Sequence, residues 1–160
     1  MQQKKYFSSA KERKFALITG SRNITCPGMI PVLLKCLFKR GFNIIVGDAP
    51  GVDRLVVETA IEKGYGHRVT VVGAYGRCRN IQAFGSVARV IKLNSTYLAR
   101  NLYMVGLSQE CYAIWDGKSR GTQFTFQSAR RAGLYVAIFY ETEGGEKKLK
   151  DKNPLLSGSL

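Results

Sequence analysis

Four glycine-containing loops, each between a short apolar run and a helical stretch, constrain the fold of this chain more than any other feature. A short apolar run that ends at glycine and leads into a helix is typical of a buried parallel strand. The apolar runs are residues 15–19, 44–46, 69–72 and 111–115, and the loops that follow them are residues 20–22, 47–53, 73–76 and 116–122. The pattern therefore predicts an alternating β/α chain built on a parallel sheet.

The helical spacing of apolar residues completes this prediction. Helices are expected at residues 29–40, 52–63, 96–107 and 122–132, with Asn94 or Ser95 as the cap of the third. A fifth strand is expected at 135–140, and a further short strand at 87–93. Because β-α-β crossovers are right-handed, the five main strands predict one Rossmann-like, doubly wound domain with strand order 3-2-1-4-5.

Positive charge is concentrated in the part of the chain that we expect to fold. Of the net charge of +14, residues 1–14 carry +4, residues 15–140 carry +10, and residues 141–160 are neutral. We expect a basic flexible arm at 1–14, a nucleotide-binding domain at 15–140 and a disordered polar tail at 141–160. A basic surface attracts nucleotides, nucleic acid or acidic partners, although single cations often only face water.

The remaining composition favours a cytoplasmic protein without a metal or a bound cofactor. No apolar stretch approaches the length of a membrane span, and the charged N-terminus lacks an apolar signal region. The four cysteines form no C-x-x-C pair, which argues against a metal site or a disulfide framework. We therefore expect no contact with a membrane.

In an open parallel sheet all the strand-to-helix loops meet at the carboxyl edge, where ligands bind. The loop 116–122 is the strongest candidate for an anion site, because it combines two cations, two hydroxyls and two glycines with a helix start. The alternative interpretation is a tight turn in which Ser119 or Thr122 caps the helix. Neither G-x-G-x-x-G after the first strand nor G-x-x-x-x-G-K-[ST] occurs, so a dinucleotide fingerprint and a P-loop are both absent.

Other loops add candidates for the same crevice. Arg22 suits a phosphate, and Asp48 or Asp53 suits ribose hydroxyls, although Asp53 at a helix start also suits the helix dipole. Tyr75 and Trp115 could stack on a base, but Trp115 is the more typical core residue. The single histidine, His67, precedes the third strand and is therefore expected at the opposite edge, which removes it as a catalytic base.

Taken together, these loops resemble the SLOG superfamily, named for the Smf/DNA-processing protein A and Lonely-Guy lineages, and within it the small stand-alone branch related to the YspA and YpsA proteins. The resemblance spans residues 15–140. Its matching pieces are Gly20-Ser21-Arg22, Gly47-x-Ala49-x-Gly51-Val52-Asp53, Arg100-Asn101-x-x-Met104, Trp115-Asp116-Gly117-Lys118-Ser119-Arg120-Gly121-Thr122 and Ser128-Ala129-Arg130-Arg131-Ala132-Gly133.

The resemblance implies binding or sensing of a nucleotide or nucleotide-derived ligand, such as an ADP-ribose-like molecule. Two alternatives stay open: hydrolysis of the N-glycosidic bond of nucleoside monophosphates, and single-stranded DNA binding, for which we expect at most weak contact. The Lonely-Guy motif P-G-G-x-G-T-x-x-E places a glutamate where this chain has Thr125, which argues against hydrolysis. A homo-oligomer stays open among the expected partners. The candidate ligand-binding residues are Gly20, Ser21, Arg22, Asp48, Gly51, Asp53, Arg100, Asn101, Asp116, Gly117, Lys118, Ser119, Arg120, Gly121 and Thr122.

Overall fold

In the computed structural model, a seven-stranded sheet has two helices packed against each face. The structure describes residues 13–79, 86–87 and 89–141 and the backbone of 147–149. The strands are β1 (Phe15–Gly20), β2 (Asn43–Gly47), β3 (Val69–Gly73), β4 (Arg89–Lys92), β5 (Glu110–Trp115), β6 (Tyr135–Glu141) and β7 (Lys147–Leu149). The helices are α1 (Ile30–Lys39), α2 (Val52–Glu62), α3 (Tyr97–Leu107) and α4 (Arg120–Arg131), and a 3₁₀ turn, Gly66–Arg68, precedes β3. The predicted α/β class and doubly wound, single-domain, Rossmann-like architecture are confirmed.

The strand order is β4-β3-β2-β1-β5-β6-β7, with every neighbouring pair parallel except β6 and β7. The predicted order 3-2-1-4-5 is confirmed for the five main strands, which are β3-β2-β1-β5-β6. The short strand expected at 87–93 is β4, at one edge. At the other edge Lys147–Leu149 pairs antiparallel with β6. Part of the stretch expected as a disordered tail is therefore paired, because β6 offers an open row of backbone N–H and C=O groups.

Two cores lie on opposite faces of the sheet. On one face α1 and α2 pack against residues such as Ile18, Ile44 and Ile114. On the other, α3 and α4 pack against residues such as Leu17 and Ile45. Because neighbouring strand residues point to opposite faces, each central strand supplies both cores and is buried on both sides. This explains why the strands are continuous apolar runs in the sequence.

The helix boundaries differ from the sequence prediction where polar side chains cap the helix. Thr96 caps α3 by accepting a hydrogen bond from the backbone N–H of Ala99 at 3.2 Å, so the expectation of Asn94 or Ser95 was wrong. The fourth helix begins at Arg120, two residues earlier than predicted, because Ser119 occupies its N-cap position. Both caps lie at the carboxyl edge of the sheet, where the candidate site is found.

Candidate functional site

A polar cleft of about 150 Å³ opens at the carboxyl edge of the sheet, where the chain order reverses between β1 and β5. Four segments line it: the end of β1 with its loop, the β2–α2 connection, the first turns of α3 and the start of α4. The lining residues are Thr19, Gly20, Arg22, Ala49, Asp53, Tyr97, Leu98, Arg100, Asn101, Ser119, Gly121 and Thr122. This is the position at which open α/β sheets bind ligands.

Eight of the fifteen candidate residues therefore line the cleft, and seven do not. Those lining it are Gly20, Arg22, Asp53, Arg100, Asn101, Ser119, Gly121 and Thr122; those outside it are Ser21, Asp48, Gly51, Asp116, Gly117, Lys118 and Arg120. The residues outside the cleft mostly hold its loops in place.

Two glycines allow the loops after β1 and β2 to pack directly on each other. A Cβ on Gly20 would lie 2.5 Å from the Cβ of Val52, and one on Gly51 would lie 2.4 Å from the carbonyl oxygen of Ser21. Gly51 also has a positive φ of 80°. The backbone N–H of Val52 donates to the same Ser21 carbonyl at 3.2 Å. Gly51 therefore serves close packing of two loops.

Ser21 joins the β1 loop to the β5 loop. Its side chain is fully buried, its N–H donates to the carbonyl of Ile114 at 3.0 Å, and its Oγ accepts from the N–H of Asp116 at 3.0 Å. Both hydrogen bonds cross the switch point between β1 and β5. Ser21 thus positions the two loops that form the centre of the cleft.

The carboxylate of Asp116 accepts hydrogen bonds from two of the backbone N–H groups in the loop that we expected to bind a phosphate. Its Oδ1 accepts from the N–H groups of Lys118 and Ser119, both at 2.8 Å. Although burial alone raises the pKa of Asp116, these donors lower it below its usual value. The loop is held further by Trp115, whose Nε1 donates to the carbonyl of Ser119 at 3.0 Å. The loop therefore forms the tight turn in which Ser119 caps α4, and the ionised carboxylate of Asp116 binds the backbone of that turn.

The start of α4 keeps two donors free for a ligand. The Oγ of Ser119 accepts a long hydrogen bond, 3.4 Å, from the N–H of Thr122 and lies 3.0 Å from its Oγ1. Among the residues that the structure describes, no acceptor meets the backbone N–H of Arg120 or Gly121. Unpaired N–H groups at a helix start favour an anion.

The two cations of residues 116–122, Lys118 and Arg120, are exposed and are not among the residues that line the cleft. The cations that line it are Arg22 and Arg100, from the β1 loop and from α3. A role for Lys118 and Arg120 in phosphate binding remains a prediction, and their position favours a long-range effect on charge over direct contact.

Arg100 is buried and held in one orientation. Its Nη1 donates to the carbonyl of Val72 at 2.7 Å and to Oδ1 of Asp48 at 2.9 Å, and its Nε donates to Oδ1 of Asn101 at 2.7 Å. Its Nη2 has no hydrogen bond to any described residue. Since Arg100 lines the cleft, the two N–H groups on Nη2 of a fixed cation remain for a ligand.

Asp48, expected at ribose hydroxyls, instead lies beneath the cleft between two arginines. It is 1% exposed and also accepts from the backbone N–H of Arg79 at 2.7 Å and from its Nη2 at 2.9 Å. Burial opposes ionisation, but the hydrogen bonds from Arg79 and Arg100 hold the pKa of Asp48 below its usual value. Asp48 is therefore an ionised structural group. The sequence offered no signal for Arg79, which lies in an irregular loop.

Tyr97 is surrounded by three guanidinium groups. The distances from Cζ to the ring centroid are 4.5 Å for Arg79, 5.5 Å for Arg100 and 5.9 Å for Arg22. Tyr75 packs edge-on against the same ring, with centroids 5.0 Å apart. The quadrupole of an aromatic ring attracts a cation that lies over its face. Sequence reasoning missed Tyr97, although its place three residues before Arg100 on one helix puts both on the same face.

Asp53 is the carboxylate that lines the cleft. Its Oδ2 accepts from the N–H of Ala49 at 3.1 Å, and a Cβ on Gly47 would lie 2.6 Å from that same oxygen. Burial raises the pKa of Asp53 to about 6, and the positive charge of Arg100 opposes the rise. Asp53 is thus the cleft residue whose charge changes just below neutral pH.

The position of the Lonely-Guy glutamate carries no acid here. Thr125 is fully buried, and its Oγ1 donates to the carbonyl of Gly121 at 2.8 Å within α4. His67 lies in the 3₁₀ turn before β3, at the edge opposite the cleft as expected. Within the described ranges, no group of three or more His, Cys, Asp and Glu side chains could hold a metal ion.

The four cysteines form no disulfide, and Trp115 packs against other aromatic rings. Cys26, Cys36, Cys78 and Cys111 are all free thiols. Trp115 packs on Phe126 and Tyr140, as its interpretation as a core residue requires.

Among the helices described, none has the length and apolar character needed to cross a membrane.

Comparisons with known proteins add a likeness in fold. DNA processing protein A from Helicobacter pylori, which binds single-stranded DNA, superposes with a TM-score of 0.64 at 18% identity, covering 83% of this chain and 68% of its own. TM1055, a structural-genomics target, superposes with a TM-score of 0.63 at 19% identity, covering 77% and 72%. No protein-family model matches the sequence, and no curated protein matches it either. The two structures confirm the fold that the resemblance to the SLOG superfamily implied.

Proposed function

We propose that the cleft between β1 and β5 binds a nucleotide or a nucleotide-derived ligand and that the protein acts as a binding or sensing module. One observation carries this proposal. Gly121, whose backbone N–H has no partner among the described residues, lines one cleft at the switch point of the sheet together with Arg22 and Asp53.

The phosphate end of the ligand fits the side formed by α4 and the β1 loop. The N–H group of Gly121 supplies a donor, and Arg22 supplies a cation that makes no ion pair with any described residue. Arg100 adds a fixed Nη2. Charge-assisted hydrogen bonds of this kind are about twice as strong as neutral ones.

The sugar fits the side of the cleft that Asp53 and Asn101 line. A carboxylate accepts hydrogen bonds from two hydroxyls, and the Asn101 amide nitrogen donates one. A volume of about 150 Å³ is smaller than the roughly 300 Å³ at the low end for drug-sized ligands, so the cleft suits a phosphate and a ribose. The base would then lie at the mouth, beside Tyr97 and Leu98.

Binding is better supported than N-glycosidic hydrolysis. Thr125 replaces the glutamate that the Lonely-Guy lineage uses, and its hydroxyl is already bonded within α4. Asp53 is the single carboxylate among the cleft-lining residues, and it comes from α2. We therefore assign no catalytic residue.

The test is calorimetric titration with AMP and ADP-ribose, together with native mass spectrometry of the purified protein to detect a retained nucleotide. Arg22→Ala should weaken binding at least tenfold. Arg131→Ala is the matched control, because it removes one exposed arginine at the far end of α4 and changes the net charge equally. Equal affinity of Arg22→Ala and the wild type, with the fold intact, would contradict the assignment.

Single-stranded DNA binding is a second candidate, favoured by the likeness to DNA processing protein A and by the net charge of +10 over residues 15–140. The exposed residues Arg22, Tyr75 and Arg77 lie in the loops at the carboxyl edge. A surface of this kind binds phosphates without reading sequence, so we expect weak binding that a rise from about 50 to 200 mM salt abolishes. Tight, salt-resistant retardation of an oligonucleotide in a gel would make this the primary function.

A further inference from the structure

A second cavity lies between the C-terminal ends of α1 and α2. Because the helices of a doubly wound fold run antiparallel to the strands, these ends lie at the amino edge of the sheet, opposite the cleft. The volume of the cavity is about 340 Å³, against about 150 Å³ for the cleft. Its lining residues are Lys35, Phe38, Lys63 and Tyr65. A volume of this size reaches the roughly 300 Å³ at which pockets begin to hold small molecules.

The ring of Tyr65 is an accessible aromatic surface in this cavity. It stacks on Phe38, with ring centroids 4.4 Å apart and ring planes at 18°. Phe38 is 5% exposed and belongs to the core, whereas Tyr65 is 38% exposed. The imidazole of His67 is nearly parallel to Tyr65, at a centroid distance of 6.3 Å. A buried ring therefore fixes the orientation of an accessible one, and such a surface suits the planar ring of a ligand.

The backbone of Tyr65 is fixed as well. The N–H of Gly64 donates to the carbonyl of Ile61 at 3.0 Å, and the N–H of Tyr65 donates to the carbonyl of Ala60 at 2.8 Å. Together with the positive φ of 79° at Gly64, these two hydrogen bonds form the Schellman motif that ends many helices. The carbonyl of Tyr65 then accepts from the N–H of Arg68 at 2.9 Å. A surface that is held in place before binding loses little entropy when a ligand arrives.

Two lysines line the cavity beside this ring, one from each helix end. Lys35 lies on α1 and Lys63 is the C-cap residue of α2, and both are exposed. Neither forms an ion pair with any residue that the structure describes. The neighbouring acid in the sequence, Glu62, is exposed and does not line the cavity. A lysine at a helix C-terminus compensates the helix dipole, which accounts for Lys63 but not for Lys35 or for the accessible ring.

We propose that this cavity is a second ligand site, which takes a small molecule with a planar aromatic ring and an anionic group. The ring stacks on Tyr65, and Lys35 and Lys63 bind the anion. Two cations with no carboxylate among the lining residues disfavour a cationic ligand, and a neutral ring forgoes the charge-assisted contacts. Four residues at two helix ends form a compact site, which suits a small molecule better than an extended chain. The site shares no residue with the cleft, so the proposal does not rest on the proposed function.

Titration of the isotope-labelled full chain, followed by nuclear magnetic resonance of its backbone amides, tests the site with three probes. Naphthyl phosphate carries a ring and an anion, naphthol carries the ring alone, and inorganic phosphate is the anion alone. We expect naphthyl phosphate to shift the amide signals of Gly64 and Tyr65 with a dissociation constant below about 1 mM, at least tenfold tighter than either of the other probes. Shifts confined to Gly121 and other cleft residues, or equal affinity for naphthol, would overturn the proposal.

The charge requirement is tested by the double variant Lys35→Gln with Lys63→Gln. Binding of naphthyl phosphate should weaken at least tenfold, and binding of naphthol should not change. Lys92→Gln with Arg131→Gln is the matched control, because it removes two exposed cations outside the cavity and changes the net charge equally. All four side chains are exposed, so both double variants should keep the fold. A lysine variant that binds naphthyl phosphate as tightly as its control would contradict the proposal.

The ring requirement is tested at Tyr65. Tyr65→Phe should bind naphthyl phosphate like the wild type, since it keeps the ring that stacks on Phe38. Tyr65→Leu keeps an apolar side chain over Phe38 but removes the aromatic face, and it should weaken binding at least tenfold. Equal binding by Tyr65→Leu and Tyr65→Phe, with melting temperatures like that of the wild type, would show that no stacking takes place. None of these variants alters the cleft, so their failure is distinguishable from failure of the proposed function.

Discussion

Arg100 donates from Nη1 to Oδ1 of Asp48 at 2.9 Å, and the two side chains are only 4% and 1% exposed. The same Nη1 reaches the carbonyl of Val72, and Asp48 also binds the backbone and side chain of Arg79. The pair therefore joins the ends of β2 and β3 to the first turn of α3. This buried ion pair fixes the position of Arg100 at the cleft. Arg22, the other cation that lines the cleft, is exposed.

Asp48→Asn should destabilise the protein by about 3–5 kcal/mol, because it leaves two buried or half-buried guanidinium groups without their anion. Urea unfolding followed by circular dichroism measures the change. Glu58→Gln is the control, since it removes one partner of an exposed ion pair with Arg54 and should cost less than about 1 kcal/mol. A similarly small loss of unfolding free energy in both variants would show that the buried cluster of Asp48, Arg79 and Arg100 does not stabilise the fold.

Asp53 makes stability depend on pH in the direction opposite to most carboxylates. Its pKa in the folded protein is about 6, above the usual value of 3.8. Between these values the folded state keeps a proton that the unfolded state has lost. The favourable contribution is therefore complete below about pH 4 and is lost as pH rises through about 6.

Asp53→Asn should consequently be more stable than the wild type at pH 7.5, by about 3 kcal/mol, and this advantage should vanish near pH 4. Comparing the two proteins at each pH removes the effect of Asp48 and Asp116, whose lowered pKa values act in the other direction. Urea unfolding across the pH range is the measurement. A difference that does not vary with pH would contradict a titrating buried Asp53.

The fold followed from the sequence more closely than the site did. The apolar runs determine the strands because both faces of the central sheet are buried, and crossover handedness determines their order. The cleft was correctly expected at the switch point. Roles of single loop residues were less predictable, because they depend on hydrogen bonds between distant segments, such as that between Ser21 and Asp116. Composition favoured Lys118 and Arg120 as ligands, but an Asp116-centred turn directs the loop so that both stay outside the cleft.

The two arginines and the lysine near α4 should contribute unequally to nucleotide binding. Arg22→Ala should cost about 1.5–3 kcal/mol in affinity for AMP, the range for a hydrogen bond to a charged group. The double variant Lys118→Ala with Arg120→Ala should cost less than about 1 kcal/mol, since neither side chain lines the cleft. Calorimetry at fixed ionic strength measures both. The reverse ranking would mean that the β5–α4 loop turns its cations toward the ligand.

Hydrolysis of nucleoside monophosphates should be slow or absent, because α4 offers no carboxylate to the sugar. An oxocarbenium-like transition state needs a fixed negative charge, and loss of such a group typically lowers the rate by about 100- to 1000-fold. Thr125→Glu should not restore activity, since Thr125 is fully buried and does not line the cleft. Chromatography of free base released from AMP, GMP, CMP and UMP measures turnover. Asp53 is the carboxylate available in the cleft, so turnover that disappears in Asp53→Asn would identify an enzyme in which α2 supplies the charge that α4 lacks.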